Sequence, residues 1–428
     1  MTLLRTLNAA WVAAALWTVA GEPARALDRP PACGRPGTTT AFLASIGINI
    51  HMQQGWQYDD TGATLATLRD LGVTQVRDAF TGLGHPGLEA AARQGFAFDF
   101  VINGGWGMGA IPALEAWEKR YPGSILAIEG PNEVNNWPVT YGGAGGISAA
   151  QAFQADLYEA VHASPVLSHI PVLALTSWPV FRNKSDIGNI HAYARSGGFA
   201  TPDIRNAFRD ETTINLPRKP VWMTEAGYHT HLGQDPDEGV SEEVQAAMTT
   251  ALLASAFESG VAKTFLYQLA DQYTDPNDEQ SHFGLVDRSW RHKPAFAAVK
   301  NLKTVLSGGD GPATGAPSRF RLDGMPAQGH CLVLSGARGA TLLVLWNEAP
   351  IWDRQGDRMI TGPAADVTLV LEGTAPRVDV YDPSRGAAAV DTVSGRERIP
   401  IGLGNHPLVV RIDAPAREAD CLPGEPVR

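Results

Sequence analysis

The apolar positions in the first two thirds of the chain form eight short runs, and amphipathic stretches separate several of them. Short continuous apolar runs are typical of strands buried on both faces of a parallel sheet. Alternation of such strands with helices indicates βα units, and eight units predict a (β/α)₈ barrel in the α/β class. The predicted strands are 45–50, 73–80, 98–103, 124–129, 171–177, 188–193, 220–225 and 263–269, and the predicted helices are 61–71, 148–162, 241–258 and 296–306.

The pattern changes after a cluster of glycine, proline and serine at residues 307–312. Six short β-like runs follow, separated by turn residues and without a helical period between them, which is typical of an antiparallel β-sandwich. We therefore predict a catalytic barrel at 44–306 and a β-sandwich domain at 307–428. The predicted strands of this domain are 320–322, 329–334, 341–346, 366–371, 377–381 and 407–412.

The N-terminus has the pattern of an export signal. Arg5 supplies a positive charge, residues 9–20 are apolar, and Ala24 and Ala26 occupy the small-residue positions of a cleavage site. We predict a signal peptide at 1–26, an N-terminal extension at 27–43, and a secreted or periplasmic protein. The alternative is an uncleaved membrane anchor, although the apolar stretch is short for a membrane span.

The net charge and the cysteine content limit which partners, disulfides and metal sites the protein can have. The formal net charge is −11 over 428 residues, which argues against nucleic acid as the main partner. Cys33, Cys331 and Cys421 are the only cysteines, so an exported chain can form one disulfide, and no spacing indicates a zinc site. Cys33 and Cys421 lie in end segments and Cys331 in a β-like run, so we predict a Cys33–Cys421 pair. The sequence does not fix the oligomeric state, and a monomer is favoured.

Polar and aromatic residues collect where the predicted barrel strands end. Glu133 follows the fourth strand and Glu225 ends the seventh. Because the carboxyl ends of barrel strands share one face, we expect these two carboxylates to meet there. Aromatic rings, amides and carboxylates around them suit a sugar, and the candidate binding residues are His51, Arg77, Trp106, Asn132, Trp178, His191, Tyr193 and Tyr267. Either glutamate alone could instead be a structural ion-pair partner, and His191 a core histidine.

The order of these motifs resembles clan A of the glycoside hydrolases, the retaining (β/α)₈ group, over about residues 44–306. The appended β-domain is similar to the layout of the β-xylosidase and iduronidase branch. The residues that carry the resemblance are Arg77, Gly130-Pro131-Asn132-Glu133, His191-Ala192-Tyr193, Thr224-Glu225, Phe283-Gly284-Leu285-Val286-Asp287 and Lys293-Pro294-Ala295-Phe296.

The resemblance implies a role for each main residue. Glu133 would be the general acid/base, Glu225 the nucleophile, and Asn132 the partner of the sugar 2-hydroxyl. Arg77 and Tyr193 would keep Glu225 ionised. We also expect burial and the charge of Glu225 to raise the pKa of Glu133, so that it is protonated before attack.

One departure concerns the eighth strand, where many clan members carry tryptophan and this chain has Tyr267. Tyr267 is the candidate replacement for sugar stacking, with Trp106 and Trp178 as alternatives. The sequence thus predicts a retaining hydrolase of a β-linked poly- or oligosaccharide that needs no cofactor or metal. The alternatives are a carbohydrate-binding protein that has lost turnover and a cell-surface structural protein.

Overall fold

The structure is a computed structural model that describes residues 33–34, 36–195, 197–215, 217–232, 239–308 and 318–414. The predicted signal peptide and Cys421 lie outside these ranges. None of the helices in the described ranges combines the length and apolar character that crossing a bilayer requires.

The eight predicted strands all form, and they build one parallel barrel. The chain first makes a short strand, β1 (Gly37–Thr38), and the helix α1 (Thr39–Ala44). The barrel strands are β2 (Ile46–Asn49), β3 (Gln75–Ala79), β4 (Ala97–Val101), β5 (Ile125–Glu129), β8 (Val172–Leu173), β9 (Gly188–His191), β10 (Val221–Ala226) and β11 (Lys263–Leu266), and a hairpin of β6 (Thr140–Tyr141) and β7 (Ala144–Gly145) follows β5.

The barrel strands pair in the order β8-β5-β4-β3-β2-β11-β10-β9. A parallel bridge between Leu173 and Ile187 joins the two ends of this sheet, and the Ala174 amide donates to the Ile187 carbonyl at 2.9 Å. The barrel is therefore closed, and the side chains at the carboxyl ends of all eight strands face one mouth.

The helices cover the barrel as their apolar faces predict. α2 begins after Asp60, whose carboxylate accepts from the Ala63 amide, and ends at Gly72, which has a φ of 71°. Besides α1, three further helices, Pro86–Arg93, Ala110–Arg120 and Thr201–Ile214, add to those that the sequence pattern predicted. The helices are α2 (Thr61–Leu71), α3 (Pro86–Arg93), α4 (Ala110–Arg120), α5 (Ile147–Ala163), α6 (Thr201–Ile214), α7 (Glu242–Glu258) and α8 (Pro294–Ser307).

The C-terminal region is a two-sheet antiparallel domain. One sheet has the order β1-β13-β14-β21-β18-β19 and the other β12-β17-β20, with a common apolar core between them. The strands are β12 (Phe320–Asp323), β13 (Gly329–Ser335), β14 (Thr341–Asn347), β15 (Trp352–Asp353), β16 (Arg358–Met359), β17 (Ala365–Leu371), β18 (Val378–Tyr381), β19 (Ala389–Val393), β20 (Arg398–Leu403) and β21 (Leu408–Ile412).

The N-terminal extension belongs to this domain and corrects the predicted disulfide. β1 pairs in parallel with β13, with Gly37 opposite Leu334. This pairing brings Cys33 beside the strand that holds Cys331, and the two form a disulfide with a Cα–Cα distance of 4.6 Å. The predicted Cys33–Cys421 pair is therefore wrong, because strand pairing rather than position near the chain ends brings the cysteines together.

A partly buried ionic cluster joins the β-domain to the barrel. His330 of β13 has one ring nitrogen 3.5 Å from Glu258 of α7 and the other 3.5 Å from Glu348. Its ring stacks on Trp346, and Glu348 accepts hydrogen bonds from Trp346 and from Thr201 of α6. Burial alone would lower the pKa of His330, but the two carboxylates outweigh burial and raise it to about 9.

Candidate active site

The mouth of the barrel holds a cleft of about 830 Å³. Glu133 and Glu225 both line it, so the two candidate carboxylates meet where the strand ends predicted. Five of the candidate binding residues line the same cleft: His51, Arg77, Asn132, Tyr193 and Tyr267. Arg77 lies at its floor.

Arg77 on β3 organises the floor of the cleft. Its side chain is 4% exposed, and its five N–H donors make five hydrogen bonds. Two reach Glu129 at 2.7 Å each, one reaches Glu225 at 2.6 Å, and the others reach Asn49 at 2.9 Å and Asn132 at 2.7 Å. Because Arg77 binds the Asn132 carbonyl oxygen, it orients the amide that the resemblance assigns to the sugar.

Glu225 is held as a carboxylate from both sides. Arg77 donates to its Oε1, and the Tyr193 hydroxyl donates to its Oε2 at 2.8 Å. Burial raises the pKa of Glu225, but the positive charges of His191 and Arg77 outweigh burial and hold the pKa below its usual value. Glu225 is therefore ionised at neutral pH, as a nucleophile must be.

His191 lies between the two glutamates. Its Nδ1 is 2.9 Å from Glu133 Oε1 and 3.6 Å from Glu225 Oε2, and its Nε2 is 3.1 Å from the Thr224 hydroxyl. Although burial lowers the pKa of His191, the charge of Glu225 and the hydrogen bond to Glu133 raise it above its usual value. The histidine is thus placed to share a proton with Glu133 and to present positive charge to Glu225.

The pKa of Glu133 differs from the expectation of the sequence. The hydrogen bond from His191 is the largest influence, and it lowers the pKa of Glu133 to about 2, against the opposing effect of burial. The prediction of a raised pKa is wrong, because it placed only Glu225 beside Glu133 and not the histidine between them. At neutral pH Glu133 is therefore a carboxylate that accepts the hydrogen bond from His191.

The same three side chains have a geometry that a metal ion could use. One ring nitrogen of His191 and one carboxylate oxygen each of Glu133 and Glu225 lie within 4.8 Å of one another, the one such cluster in the described ranges. However, both Glu225 oxygens already accept hydrogen bonds, from Arg77 and Tyr193. This donor set suits a shared proton better than a divalent cation, whose carboxylate ligands need oxygens directed at the ion.

The remaining predicted residues divide into two groups. His51 and Tyr267 line the cleft with their rings 5.4 Å apart, and the His51 Nδ1 is 2.5 Å from Gln272 Oε1. Trp106 lines an adjoining side pocket, where its ring packs on Phe80. Trp178 does not line the cleft and is 64% exposed.

Sequence reasoning missed several residues of the site. Asn49 at the end of β2 binds Arg77 through its carbonyl oxygen and donates to the Thr224 carbonyl at 2.9 Å. Trp137, four residues after Glu133, lines the cleft and is 70% exposed. Both follow barrel strands that the sequence identified, so a survey of every polar or aromatic residue near those ends would have included them.

Solved structures share this fold. A family 39 glycoside hydrolase from the gut symbiont Bacteroides cellulosilyticus WH2 matches with a TM-score of 0.58 and 13% identity, over 89% of this chain and 83% of that one. The GH39 enzyme from Xanthomonas axonopodis pv. citri matches with a TM-score of 0.55 and 12% identity, over 89% and 96%. The protein therefore shares the (β/α)₈ barrel fold of these two enzymes, the fold that the resemblance predicted. Comparison of its sequence with models of protein families and with curated proteins finds no match.

Proposed function

We propose that the protein is a retaining glycoside hydrolase that cleaves a β-linked poly- or oligosaccharide. The observation that carries the proposal is the approach of Glu133 and Glu225 to within 4.8 Å, oxygen to oxygen, across one cleft. Retaining enzymes place their carboxyl groups about 5–5.5 Å apart, whereas inverting enzymes leave about 6.5–9.5 Å for a water. The short separation supports a covalent intermediate.

The contacts around each carboxylate support a separate role for each. Glu225, ionised by Arg77 and His191, would attack the anomeric carbon as the glycosidic bond breaks. Glu133 would give a proton to the departing oxygen, and that proton reaches its Oε1 from His191 Nδ1 across the 2.9 Å hydrogen bond. A water deprotonated by Glu133 would then release the sugar from Glu225, and the return of that proton from Glu133 to His191 would regenerate all three groups.

A panel of aryl β-glycosides tests the proposal. We expect Glu225→Ala to lower kcat on the order of 10⁴-fold or more, and azide to restore turnover with a glycosyl azide of inverted anomer. Glu133→Ala should spare substrates with a good leaving group in the first step and slow poor ones by about 10²–10⁴-fold.

Two results would count against this mechanism. Equal losses on good and poor leaving groups for Glu133→Ala, without azide rescue in either variant, would contradict the assigned roles. Absence of turnover in the wild type, together with retained oligosaccharide binding, would favour the alternative of an inactive carbohydrate-binding protein.

We further propose that the protein works outside the cytoplasm. The N-terminal signal pattern motivates this, and the Cys33–Cys331 disulfide supports it because such bonds persist mainly in oxidising compartments. N-terminal sequencing of protein from the exported fraction tests it, and a chain that keeps residues 1–26 there would contradict cleavage.

A further inference from the structure

Two exposed tryptophans flank the loop that carries Glu133. Among the large apolar side chains of the described ranges, Trp137 at 70% and Trp178 at 64% are the most exposed. A single exposed apolar residue is ordinary, but two exposed tryptophans on linked segments near one cleft are an unusual use of the largest apolar side chain. Such a pair indicates a ligand-binding surface.

The exposure of Trp137 is built into an ordered loop. The backbone amides of Asn136 and Trp137 both donate to the Glu133 carbonyl at 2.8 Å. Val134 before them and Val139 after them are buried in a small apolar cluster. The loop is therefore fixed at both ends while the indole between them stays in solvent.

Trp178 lies in the segment after β8, and a hydrogen bond connects it to the same loop. Its backbone amide donates to Asn135 Oδ1 at 2.9 Å. Nearby, the Thr176 hydroxyl accepts from the Glu133 amide at 2.8 Å, and its carbonyl accepts from the Val134 amide at 3.0 Å. Trp137 lines the cleft and Trp178 does not, so the first lies in the cleft wall and the second outside it.

The chemistry around these rings suits a sugar chain. Indole faces match the apolar faces of pyranose rings, and the side-chain amides of Asn135 and Asn136 beside them can meet hydroxyl groups. The proton donor also sets a direction, because the leaving part of the substrate must extend over the side of the cleft that Glu133 occupies. Both tryptophans are on that side.

We propose that Trp137 and Trp178 form a stacking platform for the leaving-group portion of a β-linked polysaccharide. The substrate is then a polymer cut within its chain, with at least two sugar units on the leaving side. This inference rests on the proposed function, since the direction of the chain follows from the role of Glu133.

The test compares a substrate that lacks a leaving-side sugar with polymers that have one. The probes are β-glycosyl fluorides of glucose, mannose, galactose and xylose, and four polymers: barley β-glucan, glucomannan, galactan and xylan. We expect Trp137→Ala/Trp178→Ala to lower the ratio of kcat/KM on polymer to kcat/KM on fluoride by about tenfold. Trp178→Ala alone should lower the same ratio, because its ring lies beyond the reach of a small leaving group.

The control is Leu83→Ala, which removes another exposed apolar side chain, one that lines neither the cleft nor the side pocket. It should leave the ratio unchanged. An unchanged ratio in the double tryptophan variant would overturn the platform while the hydrolase assignment stands. Loss of a dimer in light scattering without a change in the ratio would overturn it too, in favour of self-association.

A binding measurement separates failure of the platform from failure of the proposed function. Native gels that contain each of the four polymers report retardation of Glu225→Gln, with and without the two tryptophan changes. If the wild type hydrolyses no probe but the tryptophan changes abolish retardation, the two tryptophans bind polysaccharide, but the hydrolase assignment fails and the leaving-side direction fails with it. If no polymer retards Glu225→Gln, the platform is wrong.

Discussion

Two clusters in this protein, one buried and one partly buried, place one cation between two carboxylates, and they behave differently. In the barrel, Arg77 lies between Glu129 and Glu225. At the domain contact, His330 lies between Glu258 and Glu348. The arrangement of charge is similar, but one cation is an arginine and the other a histidine.

The type of cation determines whether the charge of each cluster changes with pH. Arg77 stays charged at any pH the folded protein meets, and its fork of five donors fixes the position of each partner. His330, with a pKa of about 9, loses its charge in mildly alkaline solution. The floor of the cleft therefore depends on Arg77, whose charge does not change with pH. The contact between the domains depends on His330, whose charge does change.

The largest effect should come from removing the fixed charge. Arg77→Met leaves Glu129 and Glu225 buried without their cation, and we expect a loss of about 3–5 kcal/mol in the free energy of unfolding. Activity should fall by about 10²-fold or more, since Glu225 and Asn132 lose their orientation. Urea unfolding and kcat/KM measure the two effects.

The acidic limb of the pH–activity profile sharpens this test. Arg77 helps to lower the pKa of Glu225, so its loss should move that limb to higher pH. Arg93→Met is the control, because Arg93 makes a solvent-exposed pair with Glu89, and exposed pairs contribute little to stability. Equal stability losses in the two variants would contradict the importance of the Arg77 cluster.

Removing the disulfide that lies beside the His330 cluster should have the next largest effect on stability. Replacing both Cys33 and Cys331 with serine removes the tie between the N-terminal segment and β13, with an expected loss of about 3 kcal/mol. Cys421→Ser is the control and should unfold like the wild type. The pairing would be refuted by non-reducing peptide maps that join Cys421 to either of the other cysteines.

The smallest effect, and the one that depends on pH, concerns His330. Its pKa is raised from 6.5 to about 9 on folding, so its stabilisation is complete below pH 6.5 and is lost as pH rises through 9. We expect His330→Gln to lose on the order of 2 kcal/mol at pH 6 and little above pH 9. Thermal unfolding from pH 6 to 10 measures this.

His169→Gln provides the matched control for that series. His169 is two-thirds exposed, and its contact with Glu118 is a long 3.9 Å. The variant should follow the wild type across the whole pH range. A stability difference for His330→Gln that is the same at pH 6 and pH 10 would show that the histidine acts through packing on Trp346 and not through charge.

The sequence alone predicted the barrel because each of its elements has a local signature. All eight barrel strands lie within or next to their predicted ranges, and α2 spans Thr61–Leu71 as its leucine spacing indicated. In the β-domain the pattern missed several strands, among them β20, Arg398–Leu403, whose buried residues Ile399, Ile401 and Leu403 alternate with Pro400 and Gly402. It also missed β19, Ala389–Val393, which is mostly exposed at the edge of its sheet and so carries no run of apolar residues. A strand without a buried face leaves no hydrophobic period to read.

The meeting of Glu133 and Glu225 also followed from sequence, since Glu133 follows one strand of the closed barrel and Glu225 lies near the carboxyl end of another. What the tertiary structure alone decided are the relations between distant segments: His191 between the glutamates, Arg77 shared by Glu129 and Glu225, and Cys33 beside Cys331. A pKa depends on burial and on charges within a few ångströms, and a disulfide on the approach of two backbones. The hydrophobic period along the chain encodes neither the pKa values nor the disulfide pairing, because both are set only when separate elements pack against each other.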